Sequence, residues 1–400
     1  LEGASLYLNE RERIGIIGIN GTGKSTLLKI LAGVEEPDTG SVIFERNARL
    51  TYLPQNPAMD DEKTVLEQIF SGFPDEFRAI NEYEVRAMLN RLGISDCSAR
   101  VGTLSGGQKK RAALAAALIQ PSDILILDEP TNHLDSEMVM WLEERLGAFG
   151  GGLIMVTHDR YFLERVVTKI TELSRGKLYS YEANFSKYLE LRAERLEMAE
   201  ASERKRQATL RREREWIMRG ARARGTKSRE RIERYNMLLE QEAPERDASV
   251  QLATVSSRLG KKLIEIDGIS KYYGERCVIK DFSYNLKRSD RIGVVGRNGA
   301  GKSTLLGIIA GSVAPDSGTV DVGSTVRIGC FSQENRELDQ SMRVYDYISQ
   351  TASEVKTEEG TFSASQLLER FLFTPELQYS QIAKLSGGEK RRLCLLNILI

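Results

Sequence analysis

A lysine and a serine follow a glycine-rich stretch at two places in this 400-residue sequence. Both stretches fit the pattern Gly-x-x-x-x-Gly-Lys-Ser, and the second lies 278 residues after the first. Glycines let the backbone curve around phosphate groups, the lysine reaches the terminal phosphates and the serine hydroxyl binds Mg²⁺. The pattern therefore predicts two phosphate-binding loops, each with a following threonine: Gly18, Ile19, Asn20, Gly21, Thr22, Gly23, Lys24, Ser25 and Thr26, and then Gly296, Arg297, Asn298, Gly299, Ala300, Gly301, Lys302, Ser303 and Thr304.

Two acidic residues end a predicted buried strand between the two loops. Asp128 and Glu129 follow the apolar run at residues 124–127. Carboxylates at this edge of a sheet, beside a phosphate loop, can bind Mg²⁺ or polarise an attacking water. We expect Asp128 to bind Mg²⁺ and Glu129 to act on the water. His158 follows another apolar run and is expected to hydrogen-bond the γ-phosphate or the water, whereas His133 is expected to be structural.

Two glutamines and two Leu-Ser-Gly-Gly segments repeat together with the loops. Gln55 and Gln333 are 278 residues apart, and each follows a predicted strand, where its amide can sense Mg²⁺ and the γ-phosphate. The Leu-Ser-Gly-Gly segments begin at residues 104 and 385, which are 281 residues apart. A helix that begins there offers a hydroxyl and N–H groups to an anion. These signature residues are Ser105, Gly106, Gly107 and Gln108, and then Ser386, Gly387, Gly388 and Glu389.

The remainder of the repeat predicts an α/β fold with two domains. Each phosphate loop follows a short apolar run, at residues 14–17 and 292–295, which is expected to be a buried strand, and an apolar helix follows each loop. A Pro-Asp-x-Gly turn at residues 37 and 315 is expected to lead into a strand in both copies. The predicted first domain spans residues 1–183, with a helical subdomain at about 57–120, and the predicted second domain spans residues 260–400.

The segment at residues 184–259 has helical periodicity and a strong local charge. Apolar residues at multiples of seven predict one long helix, and a second helix is expected to return after Gly220 and Gly225 as an α-helical hairpin. Residues 204–234 contain thirteen Lys or Arg and four Glu, a net charge of +9. Such a tip suits nucleic-acid phosphates, and a solvated spacer is the alternative. The predicted nucleic-acid-facing residues are Arg211, Arg212, Arg219, Arg222, Arg224, Lys227 and Arg229.

The lengths of the apolar runs and the cysteine spacing predict neither a membrane span nor a disulfide framework. Lys plus Arg and Asp plus Glu both total 57, so net charge indicates no particular partner. The sequence has no apolar run of about 18 residues, so no membrane span is expected. The four cysteines are scattered without metal-ligand spacing, which favours a reducing, cytoplasmic location.

This ordered set of motifs resembles that of the ATP-binding cassette superfamily. With two cassettes, a charged helical linker and no predicted membrane span, the sequence is most similar to the ABC-F proteins. The segment at residues 216–227, WIMRGARARGTK, resembles the Uup branch, and DEPTNHLD at residues 128–135 fits the ABC-F form. The resemblance implies Mg²⁺-dependent ATP hydrolysis and implies that Tyr273 stacks on adenine.

The resemblance also implies that the two cassettes close head to tail over two ATP molecules. One composite site would then combine Lys24, Ser25, Gln55, Asp128, Glu129 and His158 with the signature at residues 386–388. The other would combine Tyr273, Lys302, Ser303 and Gln333 with the signature at residues 105–107. The hydrolytic residues of this second site, expected after residue 400, are missing from the sequence, as is an adenine-stacking aromatic before residue 1. We therefore expect a fragment of a longer protein with an incomplete second cassette.

Three functions fit these features. The favoured one is a translation ATPase whose linker contacts tRNA and rRNA on the ribosome. An ATPase subunit of a transporter is the second, although a basic hairpin between cassettes has no obvious role there. A DNA-associated ATPase of repair or transposition is the third, although such proteins usually insert their coiled coil within a cassette. DNA therefore stays open as a partner.

Overall fold

The computed structural model describes residues 3–19, 21–218, 229–240, 263–288, 290–331, 338–352, 354–357 and 360–400. The chain divides into two compact units, Leu1–Pro244 and Glu245–Ile400. Within the described part of the chain, no helix combines the length and the apolar character that crossing a membrane requires.

A six-stranded sheet forms the centre of the first unit. Its strands lie in the order β2-β3-β4-β1-β5-β6, and all neighbours are parallel except β5 and β6. β3 and β4 at the centre of this sheet are apolar on both faces, as expected for parallel strands covered by helices. The strands are β1 (Arg13–Ile17), β2 (Leu50–Leu53), β3 (Ile124–Asp128), β4 (Gly152–Val156), β5 (Lys169–Ser174) and β6 (Lys177–Tyr181).

Helices cover both faces of this sheet. Alternate residues of β3 divide between the two sides, because Ile126 packs with α1 whereas Leu125 and Leu127 pack with α4, α5 and α6. The apolar face of the helical subdomain, which includes α2 and α3, joins the second of these clusters. The helices are α1 (Lys24–Leu31), α2 (Val65–Ile69), α3 (Asp75–Arg91), α4 (Gly106–Ile119), α5 (Ser136–Gly147) and α6 (Arg160–Val166).

The register of the parallel strands determines which residues meet at the carboxyl edge of the sheet. Val156 on β4 is the register partner of both Ile16 on β1 and Asp128 on β3. The segments that follow these three strands therefore leave the sheet side by side. They carry the first phosphate loop, the two carboxylates and His158, which confirms the α/β arrangement that the sequence predicts.

Two helices continue the first unit beyond the sheet: α7 (Phe185–Met218) and α8 (Arg229–Glu240). Arg206 on α7 donates to the carbonyl of Leu238 on α8 at 2.5 Å. These residues are 12 positions before the end of α7 and 9 positions after the start of α8, so the two helices run antiparallel, as the sequence predicts. The turn between them lies outside the described residues.

A buried carboxylate attaches the root of α7 to the sheet. Glu172 on β5 has a side chain that is only 6% exposed, and its two oxygens accept hydrogen bonds from Arg192 at 2.8 Å and Arg195 at 2.6 Å. The Arg195 guanidinium also lies 3.8 Å from the centre of the Tyr179 ring. This ion triad fixes the linker helix against the strand that pairs with β1.

The second unit contains a three-stranded antiparallel sheet in the order β8-β7-β9, a separate two-stranded hairpin and a helical cluster. Ile264, Ile266 and Ile308 form the apolar contact between the three-stranded sheet and α9. The elements are β7 (Ile264–Tyr273), β8 (Arg276–Leu286), α9 (Lys302–Ile309), β9 (Ser317–Val322), α10 (Val344–Thr351), β10 (Glu354–Thr357), β11 (Gly360–Ser363), α11 (Ala364–Arg370), α12 (Pro375–Gln378) and α13 (Gly387–Leu399).

Two strand predictions are wrong, each in one copy of the repeat. Residues 292–295 form no strand, and the side chain of Val295 is 84% exposed. Residues 41–45 likewise form no strand, although β9 forms at the equivalent place in the second unit. A strand needs hydrogen-bonding partners. Neither segment pairs with another strand among the described residues.

The Glu172 triad gives a stability prediction. Glu172→Gln removes the charge that holds two arginines, so we expect the first unit to lose about 2–4 kcal/mol of unfolding free energy. Urea unfolding measures this loss. Glu190→Gln on α7 removes an exposed ion pair with Lys187 and should lower the unfolding free energy much less than Glu172→Gln does. Equal losses in the two variants would contradict an anchoring role for Glu172.

Candidate functional site

The first phosphate loop connects β1 to α1 through left-handed glycines. Gly21 and Gly23 have φ angles of 83° and 80°, a conformation that a side chain would strain. Gly18 also has no room for one, because a Cβ there would lie 2.6 Å from the carbonyl oxygen of Leu173. The Lys24 ammonium donates to the carbonyl of Gly18 at 3.0 Å. The loop therefore curves around the lysine, and Asn20 lies outside the described residues.

Lys24, Ser25 and Asp128 form one electrostatic group at the edge of the sheet. Burial lowers the pKa of the Lys24 ammonium, and the charges of Glu129 and Asp128 act in the opposite direction. Burial raises the pKa of the Asp128 carboxyl, while a hydrogen bond with Ser25 and the charge of Lys24 lower it. The structure therefore brings together the lysine, the hydroxyl and the carboxylate that the sequence predicts.

Glu129 and His158 meet directly above the ends of β3 and β4. Oε1 of Glu129 lies 3.2 Å from Nε2 of His158, and the Glu129 side chain is 6% exposed whereas the His158 side chain is 63% exposed. The second carboxylate oxygen of Glu129 is buried and has no hydrogen-bond partner among the described residues. Burial raises the pKa of Glu129, and the neighbouring His158 lowers it. One oxygen is thus held by the histidine, and the other is a buried acceptor without a donor among the described residues.

Two threonines that the sequence analysis did not single out link the segments carrying these residues. The hydroxyls of Thr131 and Thr157 are 2.8 Å apart, and Thr157 is buried. Thr131 follows Glu129 by two positions, and Thr157 directly precedes His158. Their positions next to Glu129 and His158 could have indicated a role at the site. Their contact, across 26 positions, depends on the fold and could not be predicted from the sequence.

Gln55 lies on the same side of the sheet as the carboxylates. It follows β2 and lines one cleft with Asp128 and Glu129. Glu129 also lines a second cleft with Asp135, Glu143 and His158. The predicted Mg²⁺ and water-activating side chains of the first unit therefore share one region.

His133 lies between the carboxylates and the first signature. A Cβ on Gly107 would lie 3.5 Å from the Cβ of His133, and Arg111 donates to the His133 carbonyl at 3.3 Å. Its pKa is lowered by burial and by the charges of Lys110 and Arg111. This setting fits the structural role that we expect for His133.

Both signature segments begin helices, as predicted. Ser105 caps α4, where its oxygen accepts from the Gln108 amide at 3.3 Å and its own N–H donates to the Gln108 side chain at 2.9 Å. Ser386 caps α13 in the same way with Glu389. Gly106 and Gly387 are the first residues of the helices, and Gly107 and Gly388 follow them.

The second phosphate loop repeats the local geometry of the first. Gly301 has a φ angle of 95° and precedes α9, and a Cβ there would lie 2.4 Å from Val278. The Lys302 ammonium donates to the carbonyls of Gly296 at 2.5 Å and Arg297 at 2.8 Å. Ser303 and Thr304 follow in the first turn of α9. Gln333 lies outside the described residues.

Tyr273 lies beside this second loop. It ends β7 and pairs in register with Arg276, whose guanidinium donates to the carbonyl of Gly299 at 2.9 Å. The tyrosine side chain is 54% exposed, so its ring is open to stacking. Arg276 is not among the predicted site residues. Its position three residues after Tyr273 is the feature of the sequence that could have indicated it.

The predicted nucleic-acid-facing residues are only partly covered by the structure. Arg211 and Arg212 are exposed on the distal half of α7. Arg229 begins α8. Arg219, Arg222, Arg224 and Lys227 lie outside the described residues.

The chemistry of the first loop fits a nucleotide triphosphate with Mg²⁺. One half-buried ammonium beside two carboxylates leaves an excess of negative charge, which Mg²⁺ would offset. The unpartnered Glu129 oxygen needs a donor. Among the described residues, no group of three or more His, Cys, Asp and Glu could bind a metal. Mg²⁺ held by phosphates needs only one or two protein carboxylates, and Asp128 with Ser25 meets this need.

Comparison with known proteins identifies the family. A family model described as "ABC transporter" matches residues 1–132 and 279–400, and a second model with this description matches residues 171–252. The chain therefore belongs to the ATP-binding cassette family, with the cassette present in tandem. It is an ATPase of that family and binds ATP, as the two phosphate loops predict.

Several curated proteins are similar over the whole chain. The ABC transporter ATP-binding protein YfmR of Bacillus subtilis (strain 168) is 44% identical over 99% of this chain and 69% of its own length. The energy-dependent translational throttle protein EttA of Escherichia coli (strain K12) is 33% identical over 100% of this chain and 79% of its own length.

A solved structure supports the fold. The archaeal ribosome recycling factor aABCE1, solved in complex with the ribosomal stalk protein aP1, has a TM-score of 0.64 and is 20% identical. The match covers 98% of this chain and 72% of that chain. At this identity the likeness concerns the fold alone.

The geometry of Glu129 gives the next prediction. Glu129→Gln keeps the shape of the side chain but removes the base, so we expect the rate of ATP hydrolysis to fall by about 10² or more, while ATP affinity stays within about twofold. Steady-state hydrolysis and fluorescent-ATP binding measure the two quantities.

A matched control uses Glu143, which lines the second cleft with Glu129 but pairs with Arg165 at 2.9 Å. Glu143→Gln should keep most of the hydrolysis rate. If Glu129→Gln hydrolyses ATP as fast as the parent, the proposed role of Glu129 is wrong.

Proposed function

We propose that the protein is a translation ATPase that acts on the ribosome, with hydrolysis at the first cassette and RNA contacts made by the linker helices. Mg²⁺ would neutralise the phosphate charge that develops during hydrolysis. Lys24 binds the terminal phosphates, and Ser25, Asp128 and Gln55 hold the metal. Glu129 polarises the attacking water, and His158 orients Glu129 and the γ-phosphate.

The names of the relatives support the translational part of the proposal. The name of EttA refers to translation. Its match covers 100% of this chain and therefore includes the linker residues. Relatives with the same name in Mycobacterium tuberculosis (strain H37Rv) are 34% identical over 99% of this chain. A full-length match of this kind includes the linker as well as the cassettes.

The proposed RNA contact is supported mainly by the exposed positive charge on the distal half of α7. Arg204, Lys205, Arg211, Arg212 and Arg214 are all exposed there. At 1.5 Å per helical residue, they lie about 14–29 Å along the axis beyond Arg195, which is fixed to Glu172. Cations that extend so far from the sheet can reach phosphates outside the cassette and release their counterions on binding.

The same helix is close to the phosphate loop at its root. Glu172, which holds Arg192 and Arg195, is the register partner of Ile17, the last residue of β1 before the loop. The next residue of β5, Leu173, contributes the carbonyl that closes over Gly18. If ATP displaces the loop, the movement can therefore reach α7 through two adjacent residues of β5 and change the orientation of the helix.

The linker charge gives the third prediction. Replacing Arg204, Arg211 and Arg212 with Glu reverses three exposed charges far from the loop. We expect ribosome binding in ATP, measured by co-sedimentation, to fall about tenfold or more at physiological salt. The slope of log K against log salt should become less steep by about two, because each lost phosphate contact removes roughly 0.7–0.9 from it.

The control changes the same charge elsewhere on the first unit. Arg46, Arg91 and Lys177 are exposed, and their replacement with Glu should leave ribosome binding within about twofold. ATP hydrolysis without ribosomes should be unchanged in both triple variants. Equal ribosome binding by the two triple variants would contradict the proposal, and loss of duplex DNA binding alone would favour a DNA-associated function.

A further inference from the structure

We propose that Thr131 and Thr157 are positioning residues for ATP hydrolysis, because their paired hydroxyls hold the segment that carries Glu129 against the segment that carries His158. This inference rests on the roles proposed above for those two residues. Neither threonine has to touch the nucleotide for the inference to hold.

Glu129 occupies a backbone conformation that its own side chain disfavours. Its φ angle is 56°, in the left-handed region that strains a non-glycine residue. One contact that maintains it is the Glu129 N–H, which donates to the carbonyl of Val156 at 2.8 Å. That bond fixes where the turn leaves the sheet. Other contacts must hold the rest of the turn and thus determine the direction of the Glu129 carboxylate.

The threonine hydroxyls supply a contact on the far side of the turn. Thr131 Oγ1 and Thr157 Oγ1 are 2.8 Å apart, and Thr157 Oγ1 also accepts from the Asp159 N–H at 3.1 Å. Thr157 and Asp159 flank His158, so this chain of bonds holds the histidine backbone from both sides. The carboxylate of Asp159 in turn caps α6 through the N–H groups of Tyr161 and Phe162. The Glu129 turn is thereby tied to a rigid helix start.

Breaking this hydrogen bond should loosen the two turns that carry Glu129 and His158. Thr157 is only 3% exposed and Thr131 is half-buried, so removal of either hydroxyl leaves the other without this partner. The strands themselves keep their backbone ladder, because β4 pairs with β1 and β3 through main-chain groups. Loss of one hydroxyl should therefore loosen the 3.2 Å contact between Glu129 and His158 without unfolding the sheet.

The test compares Thr157→Val, which keeps the shape and removes the hydroxyl, with Thr157→Ser, which keeps the hydroxyl. We expect kcat to fall about tenfold or more in Thr157→Val, since small misplacements of reacting groups have effects of this size. KM and ATP affinity should stay within about twofold, and Thr157→Ser should keep at least about half of the parent kcat.

Two further variants separate positioning from general damage. Thr131→Val should lower kcat in the same direction, and the double variant should lose little more than the single ones, because the two hydroxyls act as a pair. Thr171 and Ser180 form another partly buried hydroxyl pair at 3.1 Å, between β5 and β6. Thr171→Val therefore serves as the control and should keep kcat within about twofold.

A second measurement needs no nucleotide. The sequence has only two histidines, His133 and His158, so NMR of imidazole-labelled protein gives two signals, which His133→Asn assigns. At fixed pH, the His158 signal of Thr157→Val should move toward its position in Glu129→Gln, because both changes weaken the same contact. Thr157→Ser should leave it near the parent position.

An unchanged kcat and an unchanged His158 signal in Thr157→Val would overturn the inference, as would an equal loss of kcat in Thr171→Val. A Glu129→Gln variant with parental hydrolysis would instead refute the proposed role of Glu129. The two failures are therefore distinguishable.

Discussion

The site depends on β4 lying between β1 and β3 in the central sheet. Because Val156 is the register partner of both Ile16 and Asp128, the segments after the three strands leave the same edge at the same height. Lys24, Glu129 and His158 are far apart in sequence and come together only through this pairing. A slip of one residue in β4 would turn its buried side chains to the opposite face, so the packing of both layers enforces the register.

This convergence places opposing charges in a poorly solvated region. Burial raises the pKa of Asp128 and Glu129 and lowers that of Lys24, while the charges stabilise one another. Glu129 adds backbone strain and a buried oxygen without a partner in the described chain. These features reduce stability, and they are typical of sites whose groups are arranged for a ligand. Mg²⁺ would offset the excess negative charge of the two carboxylates, and a water would satisfy the free oxygen of Glu129.

The sequence predicts local features well and non-local ones poorly. The phosphate loops, the helix starts at Ser105 and Ser386 and the carboxylates at the end of β3 depend on glycine conformation, capping and apolar runs, which short segments encode. The Thr131–Thr157 contact spans 26 positions and depends on which strands are neighbours. The Glu172 triad depends on a charged residue within a buried strand, and no periodicity indicates which arginines reach it.

Comparison of the two copies of the repeat distinguishes what the local sequence determines from what the strand order determines. In the second unit, residues 292–295 form no strand, and yet Gly301 takes the left-handed conformation and α9 begins at Lys302, as Gly23 and α1 do in the first unit. The lysines also donate to equivalent carbonyls, those of Gly18 and Gly296. The loop and its helix therefore form from local sequence even where the preceding segment forms no strand. The position of that loop relative to Asp128 and Glu129 requires the strand order, because β4 brings β1 and β3 to the same edge. Phosphate binding is thus encoded locally, whereas the hydrolytic geometry belongs to the sheet.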